Sequence, residues 1–263
     1  MKSNELLKRW QANERTLGVW LSLANTHSAE TLARLGYDWL CCDLQHGLLD
    51  YTDLRAMLPA IAGNGTSTLV RVPWNEPYEI MKVLDLGAEG VIVPLVNTAE
   101  EAARAVWACR YPPAGGRSFG PIRAALVGGR GYAAEANNEI ACIAMIETQQ
   151  GLENLDAIAA TPGLDGIYIG PSDLALALGL PAQGDTDAAE HAAAVQRILQ
   201  ACRDNQIAAG IHTSSLAYAK RYWDLGFNFI NVSSDVGFMT RAALEDLRAV
   251  KQSESQAPES TGY

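Results

Sequence analysis

No stretch of this chain approaches the ~18–20 consecutive apolar residues of a membrane-spanning helix. The opening segment, MKSNELLKRWQANERTLGVW, has no unbroken apolar region and no small-residue cleavage site, so it does not read as a secretory signal. Cysteine is scarce and odd in number, five in all (Cys41, Cys42, Cys109, Cys142, Cys202), and no two form a C-x-x-C pair. Most sit in apolar segments and read as small buried hydrophobes, which fits a reducing cytoplasm. Basic residues are also short: 20 Lys and Arg against 30 Asp and Glu give a formal net charge of −10. That argues against nucleic-acid binding, which needs a basic face for phosphates. Finally, the segment LSLANTHS contains no glycine. The turn after the first strand of a dinucleotide-binding sheet needs several.

What is present is regular. Eight apolar, β-rich runs alternate with helical patterns: LGVWLSL, YDWLCCDLQH, STLVRVP, GVIVPLV, ACIAMIET, GIYIGPSD, IAAGIHTS and FNFINVSSD. Near-continuous apolar strands are expected where both faces are buried. Eight strand–helix units in 263 residues predict one (β/α)8 barrel over 1–252, opened by a short N-terminal helix. Gly36, Gly87 and Gly226 stand where helices should end in a left-handed residue. The polar tail from residue 253 to 263 reads as disordered. The segment YPPAGGRSFGPIRAALVGGRG reads as a long irregular insertion carrying Arg117, Arg123 and Arg130, with Arg110 just before it.

In such a barrel the active site lies at the C-terminal ends of the strands. Strand two ends in Asp43, Gln45 and His46, and strand three in Arg71. Strand five ends in Glu147, with Gln149 beyond it, and strand six in Gly170, Pro171, Ser172 and Asp173. Strand seven ends in His212, and strand eight in Asn231, Ser233 and Asp235. Each residue alone has a structural reading: His46 as a cap, Arg71 as an ion-pair partner, Ser172 or Asp173 as a helix start. Asp235 and His212 keep that reading, and His27 and His191 read as solvent-facing. The gathering at one rim carries more weight than any member. Glu147 and Asp173 close neighbouring strands, and two carboxylates without a strong Cys or His partner suit a hard divalent cation such as Mg²⁺ or Mn²⁺. Paired carboxylates also serve glycoside hydrolysis, but this rim has few aromatic platforms for a sugar. Arg71 supplies the positive charge that a small 2-oxo acid needs.

Together these stretches resemble the HpcH/HpaI aldolase family of metal-dependent class II pyruvate aldolases. The likeness runs through YDWLCCDLQH, LVRVPWNEP, VLDLGAEGVIVPLVNTAEEA, RYPPAGGRSFGP, AMIETQQGLENLDAIAATPGLDGIYIGPSDLALALG and AKRYWDLGFNFINV. The resemblance implies Glu147 and Asp173 as metal ligands for Mg²⁺, Mn²⁺ or Co²⁺, with no organic cofactor. It implies Arg71 on the pyruvyl oxygens, His46 with Asp43 as the acid/base dyad, and Gln149 as a hydrogen-bond donor to substrate. The backbone from Gly170 to Asp173 would cradle the carboxylate. Asp85 would reach a neighbouring subunit's site, in a cytoplasmic hexamer of dimers that exchange the eighth helix. The implied partners are a small 2-oxo acid and an aldehyde, in aromatic-compound or sugar-acid catabolism. Many members carry Glu where this chain has Gln45, and an apolar residue where it has His212, so both are candidate specificity positions. No predicted strand from two to eight holds a lysine, which disfavours a Schiff-base route. A related lyase acting on a CoA thioester would need a basic channel, for which the arginines of the 110–130 insertion are the only hint. A non-catalytic binding barrel would not need this rim.

Overall fold

The computed structural model describes residues 3–255. Eight parallel strands close into a barrel in chain order: β1 (Thr16–Leu21), β2 (Trp39–Asp43), β3 (Ser67–Arg71), β4 (Gly90–Val93), β5 (Ala141–Ile146), β6 (Gly166–Ile169), β7 (Ala208–Ile211) and β8 (Phe229–Ser234). All eight predicted strands are present. The helices are α1 (Glu5–Gln11), α2 (Thr26–Ala33), α3 (Tyr51–Ile61), α4 (Pro77–Asp85), α5 (Ala99–Cys109), α6 (Ile122–Gly128), α7 (Tyr132–Glu139), α8 (Gln149–Glu153), α9 (Leu155–Ala159), α10 (Pro171–Ala177), α11 (Ala189–Asp204), α12 (Leu216–Leu225) and α13 (Asp235–Ser255).

Alternation along each strand builds two cores. In β2, Trp39 and Cys41 point into the barrel, while Leu40 and Cys42 face the surrounding helices. The inner core also holds Trp20, Leu69, Ile143, Met145, Tyr168 and Phe229. Rings this large fit because Gly18 gives way: a Cβ there would sit 2.0 Å from the Trp39 indole. Helix α1 plugs the bottom, with Trp10 packed 4.5 Å from Phe229, centroid to centroid. The Asn4 side chain caps α1 and accepts from the Leu6 N–H at 3.1 Å.

Two expectations change. The 110–130 insertion is not irregular throughout: beyond Pro121 its sequence builds α6 and, one turn later, α7. Ile122–Val127 contains neither glycine nor proline, so nothing in it opposes a helix. At the other end, α13 takes in Ser253, Glu254 and Ser255, which the composition assigned to the tail. The rest of that tail lies outside the described residues.

Candidate active site

Asp43 and Arg71 are register partners on the neighbouring strands β2 and β3, so their side chains leave the sheet together. Both are buried. Arg71 grips Asp43 with two parallel bonds: Nε donates to Oδ1 at 2.8 Å and Nη2 to Oδ2 at 2.6 Å. The guanidinium also lies over the Trp20 ring, 5.1 Å from its centroid. Burial pushes the Asp43 carboxyl up, but the Arg71 bonds and charge outweigh it and hold the group below the ordinary carboxylate value. Asp43 therefore stays ionised and fixes the fork of Arg71.

This arrangement corrects the expected Asp43–His46 dyad. The Asp43 carboxylate meets His46 only at its backbone N–H, 3.3 Å away, and accepts likewise from the Gln45 N–H at 3.0 Å. A bidentate guanidinium leaves the carboxylate little capacity for an imidazole. The His46 side chain stands exposed on the loop after β2. Gln45 points its amide oxygen into a buried position where no protein group meets it.

Glu147, just past β5, is 2% exposed. Its Oε1 accepts from the Leu95 N–H at 2.9 Å. Leu95 has φ +54°, a left-handed backbone that turns this N–H inward after β4. Glycine is required at 170, because a Cβ there would sit 2.3 Å from Glu147 Oε2. Burial pushes the Glu147 carboxyl up to about 7; Leu95 and Arg71 oppose the rise and the Asp173 charge adds to it. Asp173 is exposed in the first turn of α10. A buried carboxylate whose ionisation is penalised, beside a second acid, is a donor set that a hard divalent cation fits. Among the described residues no three His, Cys, Asp or Glu side chains cluster at ligand spacing. Glu147 and Asp173 are the pair of carboxylates at this mouth that could hold such an ion.

The remaining rim residues divide. His212 stands at the mouth with its ring edge-on to Trp20, 5.1 Å between centroids. Gln149 turns outward and donates to Glu153 at 2.9 Å, one helical turn on. Asn231 is fully buried and bonds the Thr213 N–H and carbonyl at 2.7 and 3.1 Å, so it locks β8 to the chain after β7. Asp235 accepts from the Ser22 and Leu23 N–H groups, a structural tie between β1 and α13.

His191 is not solvent-facing: it is 0% exposed, and its Nε2 lies 3.0 Å from the Pro171 carbonyl at the head of α10. The signal for this was present, since His191 falls on the same helical stripe as Ala194, Val195 and Ile198. Trp20 and Leu95 gave no such signal; a strand tryptophan and a loop leucine look like ordinary core.

Asp85 has no hydrogen bond or ion pair with the rim residues above. It ends α4, which runs from the mouth back to the barrel bottom, and it binds Arg117 at 2.8 Å. Arg110 is spent on Asp165 and two carbonyls, and Arg123 on the Leu86 carbonyl. Arg110, Arg117 and Arg123 are thus committed internally, while Arg130 stands exposed.

The HpcH/HpaI aldolase/citrate lyase model matches residues 16–242, from the first strand into the last helix. A hydroxypyruvate/pyruvate aldolase of Rhizorhabdus wittichii is 39% identical, over 94% of this chain and all of the relative. A 5-keto-4-deoxy-D-glucarate aldolase of Klebsiella pneumoniae subsp. pneumoniae is also 39% identical, over 92% of this chain and 94% of its own length. Among solved structures, a family protein from Burkholderia cenocepacia J2315 superposes with a TM-score of 0.89 at 37% identity, over 95% of this chain and all of that one. A closed barrel that gathers an Arg–Asp fork and two carboxylates at its mouth, matched along nearly its whole length by aldolases, places this chain in the HpcH/HpaI aldolase/citrate lyase family as a lyase of the aldolase class.

Proposed function

We propose that the enzyme reversibly cleaves 4-hydroxy-2-oxo acids into pyruvate, or a close analogue, and an aldehyde. The observation that carries this reading is the Arg71–Asp43 fork held at the same mouth as Glu147. Glu147 and Asp173 would hold a divalent cation, which supplies Lewis-acid polarisation of the 2-oxo acid when bound. Mg²⁺, Mn²⁺ and Co²⁺ all suit these oxygen donors. Arg71, oriented by Asp43, donates to the C2 oxygen. As the C3–C4 bond breaks, its electron pair moves toward that oxygen, and the fixed guanidinium stabilises the developing enolate charge. His46 takes the C4 hydroxyl proton, which frees the aldehyde. Protonation at C3 then yields the 2-oxo acid. The backbone of Gly170–Asp173 seats the carboxylate. Gln149 must turn from Glu153 to reach substrate, and Gln45 and His212 are the positions where specificity is set.

Pyruvate release from a panel of 4-hydroxy-2-oxo acids tests the reaction; no release from any member overturns it. His46→Ala should slow cleavage by the ~10²–10⁴ typical of a lost general base, with a smaller change in KM. An unchanged rate would remove His46 from the chemistry.

We further propose an oligomer, a hexamer by family precedent, in which α13 is exchanged between subunits. Its apolar side chains Met239, Leu244 and Leu247 stand exposed on the single chain, 41–58% open. A continuous amphipathic helix that exposes apolar side chains marks an interaction surface. In that assembly Asp85 would approach a neighbour's site. Sedimentation should give a species well above 28.2 kDa; a monomer at micromolar concentration would sink this arrangement. Among the described residues no helix is long and apolar enough to cross a membrane. With five unpaired cysteines, the cytoplasm is the compartment we propose.

A further inference from the structure

Helix α10 carries Asp173 in its first turn, and little in its own sequence holds that turn in place. It has seven residues, and a helix so short is marginal without tertiary support. Helices commonly begin on a Ser, Thr, Asp or Asn whose side chain accepts from the first free N–H groups. Here the cap is Gly170, and no side chain caps the helix. The glycine cannot give way to a capping residue, because a Cβ at 170 would sit 2.3 Å from Glu147 Oε2. The close packing of Glu147 on Gly170 thus denies a side-chain cap to the helix that carries the second carboxylate.

The anchor comes from α11. This helix has 16 residues and packs on β6, β7 and α9, with Ala194, Val195 and Ile198 on its buried stripe. His191 continues that stripe, and its Nε2 lies 3.0 Å from the carbonyl of Pro171, the first residue of α10. Burial lowers the pKa of this ring; the Pro171 bond opposes the fall and the Arg221 charge adds to it, so the imidazole is neutral at physiological pH. A carbonyl only accepts, so Nε2 carries the proton and donates it. Nδ1 is buried too, and no described residue bonds to it. The packing of α11 alone does not call for a histidine here: a leucine would continue the stripe and bury no unpaired nitrogen. The chain after α10 closes on the same turn, since a Cβ at Gly184 would stand 3.0 Å from the Pro171 ring and 3.1 Å from Ser172 Oγ.

We propose that His191 is a positioning residue of the mouth. Through the Pro171 carbonyl it fixes the first turn of α10, and so holds Asp173 where it can serve a cation together with Glu147. This rests on the reading of Glu147 and Asp173 as metal ligands; His191 itself is not a ligand.

Two variants and two measurements test it. His191→Leu keeps the apolar stripe and removes the donor. His191→Gln keeps an N–H at about the reach of Nε2. In a Mn²⁺ titration followed by electron paramagnetic resonance, His191→Leu should bind about tenfold more weakly than wild type, the lower end of what an outer-shell partner is worth. His191→Gln should lie close to wild type. Amide hydrogen exchange of the metal-free protein should be faster over residues 174–178 in His191→Leu, with β5 and β6 protected as before. Unchanged exchange over 174–178 overturns the proposal, and so does unchanged Mn²⁺ affinity, or a loss of affinity that glutamine does not restore. Protection lost across β5 and β6 as well would make His191 an ordinary core residue and overturn it too. Faster exchange confined to 174–178, in a protein whose wild type binds no Mn²⁺, would overturn the metal reading and leave the His191 anchor standing.

Discussion

Glu147→Gln should abolish metal binding and, with it, carbon–carbon cleavage. The substitution keeps the size of the side chain and the hydrogen bond from Leu95. It removes the charge that a buried site offers to a cation. Losing an outer-shell partner already costs ~10–100-fold in metal affinity, so losing one of two ligands should exceed that. A Mn²⁺ titration followed by electron paramagnetic resonance reads the affinity directly, and an unchanged curve would sink the assignment. Chelator-stripped wild type should lose activity and recover it with Mg²⁺, Mn²⁺ or Co²⁺.

The sign of the pH dependence follows from the same residue. In the metal-free protein the Glu147 carboxyl is raised to about 7. Below that pH a proton occupies the oxygen that the metal needs, so affinity should fall as pH drops through about 7 and level off above it. Glu147→Gln should flatten this part of the curve. Stability runs the other way. A carboxyl whose folded value is raised favours the fold when protonated, so the metal-free protein should lose stability as pH rises from the ordinary carboxylate range to about 7. Added metal should oppose that loss.

Arg71→Lys should cost about 10²–10³ in kcat, the scale of a lost oxyanion donor. Lysine keeps the charge but cannot reproduce the two parallel bonds to Asp43. It would also lie differently on the Trp20 ring. Metal affinity should survive, because Arg71 is not a ligand; its loss together with kcat would point to collapse of the whole mouth. Asp43→Ala should be costly for another reason. It strands a buried guanidinium, and breaking such a pair typically destabilises by ~3–5 kcal/mol. Double replacement of Asp43 and Arg71 should therefore fall short of the sum of the single effects, since the two act as one unit.

Much of this was legible in the sequence. The eight strands read as apolar runs because parallel barrel strands are buried on both faces. The left-handed helix ends at Gly36, Gly87 and Gly226 were legible as well; their φ angles are +89°, +92° and +91°. The rim residues could be read by position, since whatever polar group ends a barrel strand stands at the mouth.

What the sequence alone determined is therefore the barrel, the end of it that carries chemistry, and which residue types stand there. All three follow from periodicity and chain order, which are local properties. Only the tertiary structure decided who pairs with whom. Asp43 lies three residues from His46 and 28 from Arg71, yet it grips Arg71, because strand register sets the two side by side. His191 turned inward because its helix packs that stripe against α10, and Leu95 took a left-handed turn to serve Glu147. Such pairings depend on distances between strands and helices that no single segment encodes.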